Sequence, residues 1–185
     1  MKKALYLLPF LVVLFALSVV AQRFGEDASR SRGTLVKFEG GIGVIPVASG
    51  VGQAPTAEVV NRNIVRGVQP AGQIWVISAL HANVKADGRI HVDGRGLLLG
   101  GGNAIGFNGN ASVFATLICE AVAPFTQLNT DALGVPLEPN GDFRIDDVLV
   151  PAPPAECDSP VLLIRTTAGG TWFAAGIPKL SPDRD

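Results

Sequence analysis

An all-β fold is what this sequence predicts: a single β-sandwich or partly open barrel of antiparallel hairpins, closed by one disulfide. Three observations carry the prediction. Past residue 32 no window of about 12 residues keeps a clean 3.6-residue apolar period. Short apolar runs are punctuated throughout by glycine (22) and proline (13). Two turn sequences, Ala86-Asp87-Gly88 and Pro139-Asn140-Gly141, each separate strand-like runs.

The chain opens on Met1-Lys2-Lys3 followed by an almost wholly apolar stretch, Ala4 to Ala21. A short basic segment, an apolar stretch and a small-residue exit (Val19-Val20-Ala21) read as a signal peptide cleaved after Ala21. A retained membrane anchor of similar length is the competing reading. Pro9 interrupts the run, however, and Gln22 to Gly33 is polar. The expected organisation is a signal peptide over 1–21, a polar leader over 22–32, one β-domain over 33–180 and a tail over 181–185. The expected location is secreted or periplasmic, with no membrane span after cleavage. Without residues 1–21 the basic residues fall from 15 to 13 against 16 acids, a net charge of −3. A weakly acidic chain has no electrostatic footprint for nucleic acid.

The remaining 164 residues suit one domain with a sizeable core. The sequence holds two cysteines, Cys119 and Cys157. In an exported protein such a pair reads as a disulfide. Closing that loop of about 39 residues stabilises the fold by about 4 kcal/mol in the chain-entropy model.

Strands are expected at Thr34–Glu39, Gly43–Val47, Val59–Arg66, Gln73–Lys85, Arg89–Leu99, Ser112–Cys119, Val135–Glu138, Asp142–Val150, Val161–Thr166 and Trp172–Ile177. The small and polar stretch Ala48 to Thr56 reads as a loop. Pro151-Ala152-Pro153-Pro154 cannot join a ladder and reads as an extended connector to Cys157.

The two hairpins can be set in register. A two-residue loop at Asp87-Gly88 would put Val84 opposite His91 and Leu80 opposite Arg95, mixing apolar and charged groups on one face. A three-residue loop with Gly88 in the left-handed region instead puts Val84 opposite Ile90, Ala82 opposite Val92 and Val76 opposite Leu98. A one-residue slip exchanges the faces, so the apolar consistency selects the three-residue loop. The same device at Pro139-Asn140-Gly141 pairs Leu137 with Phe143 and Val135 with Ile145.

The selected register gathers chemistry on the opposite face. His81 falls across from Asp93 and Asn83 across from His91, which makes the two histidines diagonal neighbours. His81, His91 and Asp93 are therefore the candidate metal ligands, two imidazoles and a carboxylate with a position left for water. The competing reading is a solvated or partner-binding sheet face.

Other motifs lead to structure rather than chemistry. The glycine stretch Gly94 to Gly106 lacks the Gly-Lys-Ser/Thr ending of a phosphate loop, and Ile105 stands where a dinucleotide fingerprint needs glycine. It reads as a bulge or tight corner. Glu138, Asp142, Asp146 and Asp147 lack calcium-loop spacing. Trp75 and Trp172 lie in apolar strand contexts and read as core. Aromatics make up only 6% of the chain, which leaves few platforms for sugar stacking. No serine lies in a Gly-x-Ser-x-Gly setting, and no catalytic residue or cofactor is expected. Asn110-Ala111-Ser112 is a glycosylation sequon if the source is eukaryotic.

From Ser112 onward a strand ends in Cys119, Pro139-Asn140-Gly141-Asp142-Phe143-Arg144-Ile145 forms a turn and strand, and Cys157 precedes the strand Pro160 to Ile164. This order resembles the transthyretin-like and pollen-allergen-like extracellular β-sandwiches over less than half of the chain. The span Gln73 to Lys179 also resembles uncharacterised secreted bacterial β-rich proteins, through Gly94 to Leu99 (GRGLLL), Gly141 to Asp146 (GDFRID) and Trp172 to Ile177 (WFAAGI). Neither resemblance implies an activity or carries over a functional residue.

The sequence thus points to an exported, non-catalytic binding or structural module that meets a protein or glycan at the cell exterior. The alternative is a metal-binding protein or metal-dependent hydrolase built on His81, His91 and Asp93.

Overall fold

A computed structural model describes residues 33–51 and 58–179. The expected signal peptide (1–21), polar leader (22–32) and C-terminal tail (181–185) lie outside the described residues, as do residues 52–57, which include the rest of the expected loop Ala48 to Thr56. The strands are β1 (Thr34–Gly43), β2 (Val47–Val51), β3 (Glu58–Arg62), β4 (Trp75–Val76), β5 (Ala79–Lys85), β6 (Arg89–Arg95) and β7 (Leu98–Leu99). They continue as β8 (Ser112–Ile118), β9 (Leu128–Asn129), β10 (Val135–Pro136), β11 (Phe143–Val148), β12 (Val161–Thr166) and β13 (Trp172–Pro178).

The main sheet runs β10-β8-β12-β13-β1-β5-β6-β11, with β9 beside β8, and every pairing in it is antiparallel. Its two ends approach each other. The turn at Pro139-Asn140-Gly141 joins β10 to β11, and Val150 exchanges backbone hydrogen bonds of 2.8 and 2.9 Å with Asn129 at the end of β9. The sheet is thus a nearly closed barrel, one of the two all-β forms expected. Closure leaves little free strand edge for unwanted pairing.

The barrel interior follows from two-residue alternation. Phe38 of β1 lies across from Ala82 of β5, Ala82 from Val92 of β6, and Val92 from Ile145 of β11. All four are buried, and together they cross four strands as one apolar row. On β8 and β12 both faces are covered: Phe114, Thr116 and Ile118 are buried as well as Val113, Ala115 and Leu117. Residues on the approach to β4 run beside β13, where Trp172 N–H donates to Gln69 O and Ala71 N–H to Trp172 O. Trp75 stacks on Phe173 with ring centroids 3.9 Å apart. Both tryptophans are core, as their sequence context predicts.

The first hairpin has the expected register: Val84 faces Ile90, Ala82 faces Val92, and further out Val76 faces Leu98. Gly88 has φ +87° and its N–H donates to Lys85 O at 3.0 Å. The second turn repeats this geometry, with Gly141 at φ +82° and its N–H donating to Glu138 O at 2.8 Å. Beyond that turn the expected hairpin is corrected. Glu138 N–H donates to Asp142 O, but the arms then part. Val135 pairs with Val113 of β8, and Ile145 pairs with Val92 of β6. Each arm finds a longer apolar partner strand than the other arm offers, and tertiary pairing overrides the local turn.

Further corrections concern boundaries. Ala48–Val51, expected as loop, is strand in β2 and pairs with β3. The expected strand Gly43–Val47 is instead the end of β1, a connector and the first residue of β2; in the connector Val44 N–H donates to Phe173 O, and Val44 O accepts from Trp75 N–H. The two long runs break at Ile77-Ser78 and Gly96-Leu97, leaving β4 and β7 as a separate pair. Gly96 has φ +63°, which favours glycine and turns the chain there. Within β1 the register shifts between Phe38 and Gly41, and Gly40 has φ +99°. That bulge lets one strand pair with β5 at its start and with β13 at its end.

Cys119 and Cys157 form the expected disulfide, with Cα atoms 4.7 Å apart. Beside it, Arg66 lies in a tight turn with Gly67, both at positive φ (46° and 81°). Its guanidinium donates to Ile118 O at 3.1 Å and to Ser159 Oγ at 2.6 Å, which holds this non-glycine residue in a left-handed conformation. No helix among the described residues is long and apolar enough to cross a membrane.

Candidate functional site

The outward face of β1, β5, β6 and β11 carries two polar rows, one on each side of the buried Phe38–Ala82–Val92–Ile145 row. In the first row Lys37 pairs with Asn83, Asn83 with His91, and His91 with Asp146. In the second Glu39 pairs with His81, His81 with Asp93, and Asp93 with Arg144. Directly opposed side chains on neighbouring antiparallel strands stand about 4.5–5.5 Å apart at Cβ. Eight polar side chains are therefore fixed in a two-by-four array by backbone pairing alone.

The array is electrostatically interleaved. Lys179 Nζ donates to Glu39 Oε1 at 2.8 Å. Arg95 Nε donates to Asp93 Oδ1 at 3.2 Å, and Arg144 Nη2 lies 3.5 Å from Asp93 Oδ2. His91 Nδ1 meets Asp146 Oδ1. The hydrogen bond from Lys179 holds the Glu39 carboxyl below the ordinary carboxylate range. Asp93 is held low chiefly by the hydrogen bond from Arg95, then by the charges of Arg95 and Arg144.

Between the rows lies a depression of about 140 Å³ bounded by Lys37, Glu39, His81, Asn83, His91 and Asp93. A wider groove of about 410 Å³ continues over His91 toward Lys85, Arg89, Asp146 and Asp147. Asn83 borders both. Its Oδ1 is buried and accepts no hydrogen bond, the single such side-chain atom among the described residues. A buried acceptor without a donor is costly.

His81 and Asp93 face each other as expected from sequence, and His91 lies diagonally from His81. The three do not stand alone. His91 is engaged by Asp146, and Glu39 flanks His81 on the side away from Asp93. As the side chains stand, no three His, Cys, Asp or Glu groups among the described residues converge as metal ligands. Lys37, Glu39, Arg144 and Asp146 were not legible as members of this face. β1 and β11 reach it through pairings that no short turn specifies.

The acidic residues near the second turn diverge. Asp142 Oδ1 accepts from Gly96 N–H at 3.0 Å, whereas Asp147 Oδ2 accepts from Asp131 N–H at 2.7 Å. Both act as local backbone caps. Arg165 is half-buried, with Nε donating to Gly170 O at 2.6 Å, Nη1 to Gln127 Oε1 at 2.7 Å, and its guanidinium 5.1 Å from the Phe114 ring centroid. Desolvation lowers its pKa. Each of its contacts ties barrel elements together.

The chain matches no protein-family model, no curated protein and no solved structure.

Proposed function

We propose that this chain is an exported, non-catalytic binding or structural module whose partner, a protein or glycan at the cell exterior, meets the polar face of β1, β5, β6 and β11. The observation that carries the reading is the two-by-four polar array with its adjoining depressions. An export signal over residues 1–21 and a disulfide between Cys119 and Cys157 support a secreted or periplasmic location.

The test has two parts. N-terminal sequencing of the exported protein is expected to begin at Gln22. Mature protein immobilised and exposed to the source's own surface extract is expected to retain a ligand that a His81→Ala/His91→Ala/Arg144→Ala variant fails to hold. Leu133→Ala, an exposed site elsewhere, is the control. Equal retention by all three proteins contradicts the reading.

A further inference from the structure

We propose that this protein forms a two-fold dimer through the free edge of β3, with Glu58 to Arg62 of one copy running antiparallel to Glu58 to Arg62 of a second. This surface shares no residue with the polar face of β1, β5, β6 and β11.

The barrel strands close on themselves, whereas among the described residues β2 and β3 pair only with each other. In such a hairpin each strand keeps one unpaired edge, and two strands alone are marginal in water. The base of this hairpin is nonetheless tied down. Asn63 Nδ2 donates to Ile45 O at 3.0 Å, Trp172 Nε1 to Asn63 O at 3.1 Å, and Arg62 Nη2 to Pro70 O at 2.8 Å. The edge of β3 is therefore presented from a fixed base.

The register decides which backbone groups are free. Asn63 N–H donates to Pro46 O at 3.0 Å, in line with the pairs Val47–Arg62, Ala48–Asn61, Ser49–Val60, Gly50–Val59 and Val51–Glu58. Hydrogen-bonded pairs alternate along an antiparallel ladder, so Asn61 and Val59 turn their N–H and C=O groups toward β2. Glu58, Val60 and Arg62 turn theirs to the open edge.

These three positions are self-complementary. A two-fold axis at Val60 puts Val60 opposite its own copy and Glu58 opposite Arg62, twice. All three pairs are then of the hydrogen-bonded kind, which offers about six backbone hydrogen bonds. Arg62 O already accepts from Ile64 N–H at 2.9 Å, and its second lone pair remains for the partner. Charges on an edge strand ordinarily keep copies apart. Here they differ in sign at mirrored positions, so self-pairing brings opposite charges together. The β2 edge has no such match: Val47, Ser49 and Val51 carry no charge, and Gly50 weakens the strand.

Five residues a side make a small interface, so the dimer should be weak and concentration-dependent. Sedimentation velocity on the exported protein should find monomer near about 1 μM and mostly dimer near about 1 mM. Val60→Pro removes an N–H that points away from β2, so it should abolish the dimer and leave the monomer folded. Ser49→Pro, the matching change on the β2 edge, should leave dimerisation within a few-fold. Glu58→Arg should weaken it about tenfold by setting like charges opposite each other, and Glu58→Arg/Arg62→Glu should restore it to within a few-fold. Melting temperatures check that each variant is folded. Monomer at every concentration, or a dimer indifferent to Val60→Pro, overturns the proposal. Loss of the dimer in Ser49→Pro but not in Val60→Pro assigns the other edge and overturns it too. A double variant as weak as Glu58→Arg overturns the register centred on Val60.

Discussion

The ring of Phe143 on β11 fills the place where a side chain at Gly94 on β6 would begin: a Cβ built on Gly94 meets Phe143 Cζ and Cε1 at 2.1 Å. The two residues are directly paired, and Phe143 is buried. Gly94 therefore admits the aromatic ring into the barrel where the polar-face strands begin. Gly94→Ala is expected to overpack this contact at a cost of about 3 kcal/mol. For a domain of this size that lowers the melting temperature by about 6–12 °C. Thermal denaturation followed by circular dichroism checks it, and an unchanged midpoint refutes the packing argument.

The matching turns allow a differential prediction. Gly88 and Gly141 both have positive φ, so alanine at either costs about 1–2 kcal/mol in backbone strain. Their surroundings differ. A Cβ at Gly141 meets the Leu97 backbone nitrogen at 2.6 Å, whereas at Gly88 it meets Pro153 Cδ at 3.1 Å. Gly141→Ala should therefore be the more destabilising of the two, by about 1 kcal/mol or more. Urea midpoints of the two variants, measured side by side, decide it.

The turns also show how much of the fold was legible. Ala86-Asp87-Gly88 sits between runs whose alternation is unambiguous, so register and opposite face follow together, and His81 against Asp93 came out of sequence. Pro139-Asn140-Gly141 specifies its turn just as well, yet Val135 and Ile145 have better partners on β8 and β6. Turn chemistry fixes two or three residues on either side, and long-range pairing decides the rest. For the same reason Glu39 and Arg144 were invisible as neighbours of His81 and Asp93. β9, two residues long, carries no period that a sequence can display.

The disulfide spans a sequence separation of 38 residues and ties the end of β8 to the segment before β12. Reduction is expected to cost about 4 kcal/mol by the chain-entropy relation. The melting temperature should fall by about 8–16 °C in reductant. Thiol titration of the native protein should find no reactive cysteine, and two titrating thiols would contradict the bridge.

Acid should loosen the polar face first. Glu39 and Asp93 are held below the ordinary carboxylate range by Lys179 and by Arg95 with Arg144. A carboxyl with a depressed folded pKa contributes its stabilisation above the unfolded value, about 4, and loses it as pH falls through the folded value. Glu39 is exposed and Asp93 only partly buried, so the effect is small. A Glu39→Gln/Asp93→Asn variant should lose less urea resistance than the parent as pH falls below 4. Parallel curves for the two proteins would show that these pairs contribute nothing.

Partners are expected to meet this protein on the outward face of β1, β5, β6 and β11. Hydrogen–deuterium exchange of the protein, free and bound to the ligand retained from the source's surface extract, tests it most directly. Added protection is expected in peptides covering residues 37–39, 81–91 and 144–146. Protection confined to the exposed apolar residues Ile74, Val76, Ile105 and Phe107, with the polar face unchanged, would contradict it.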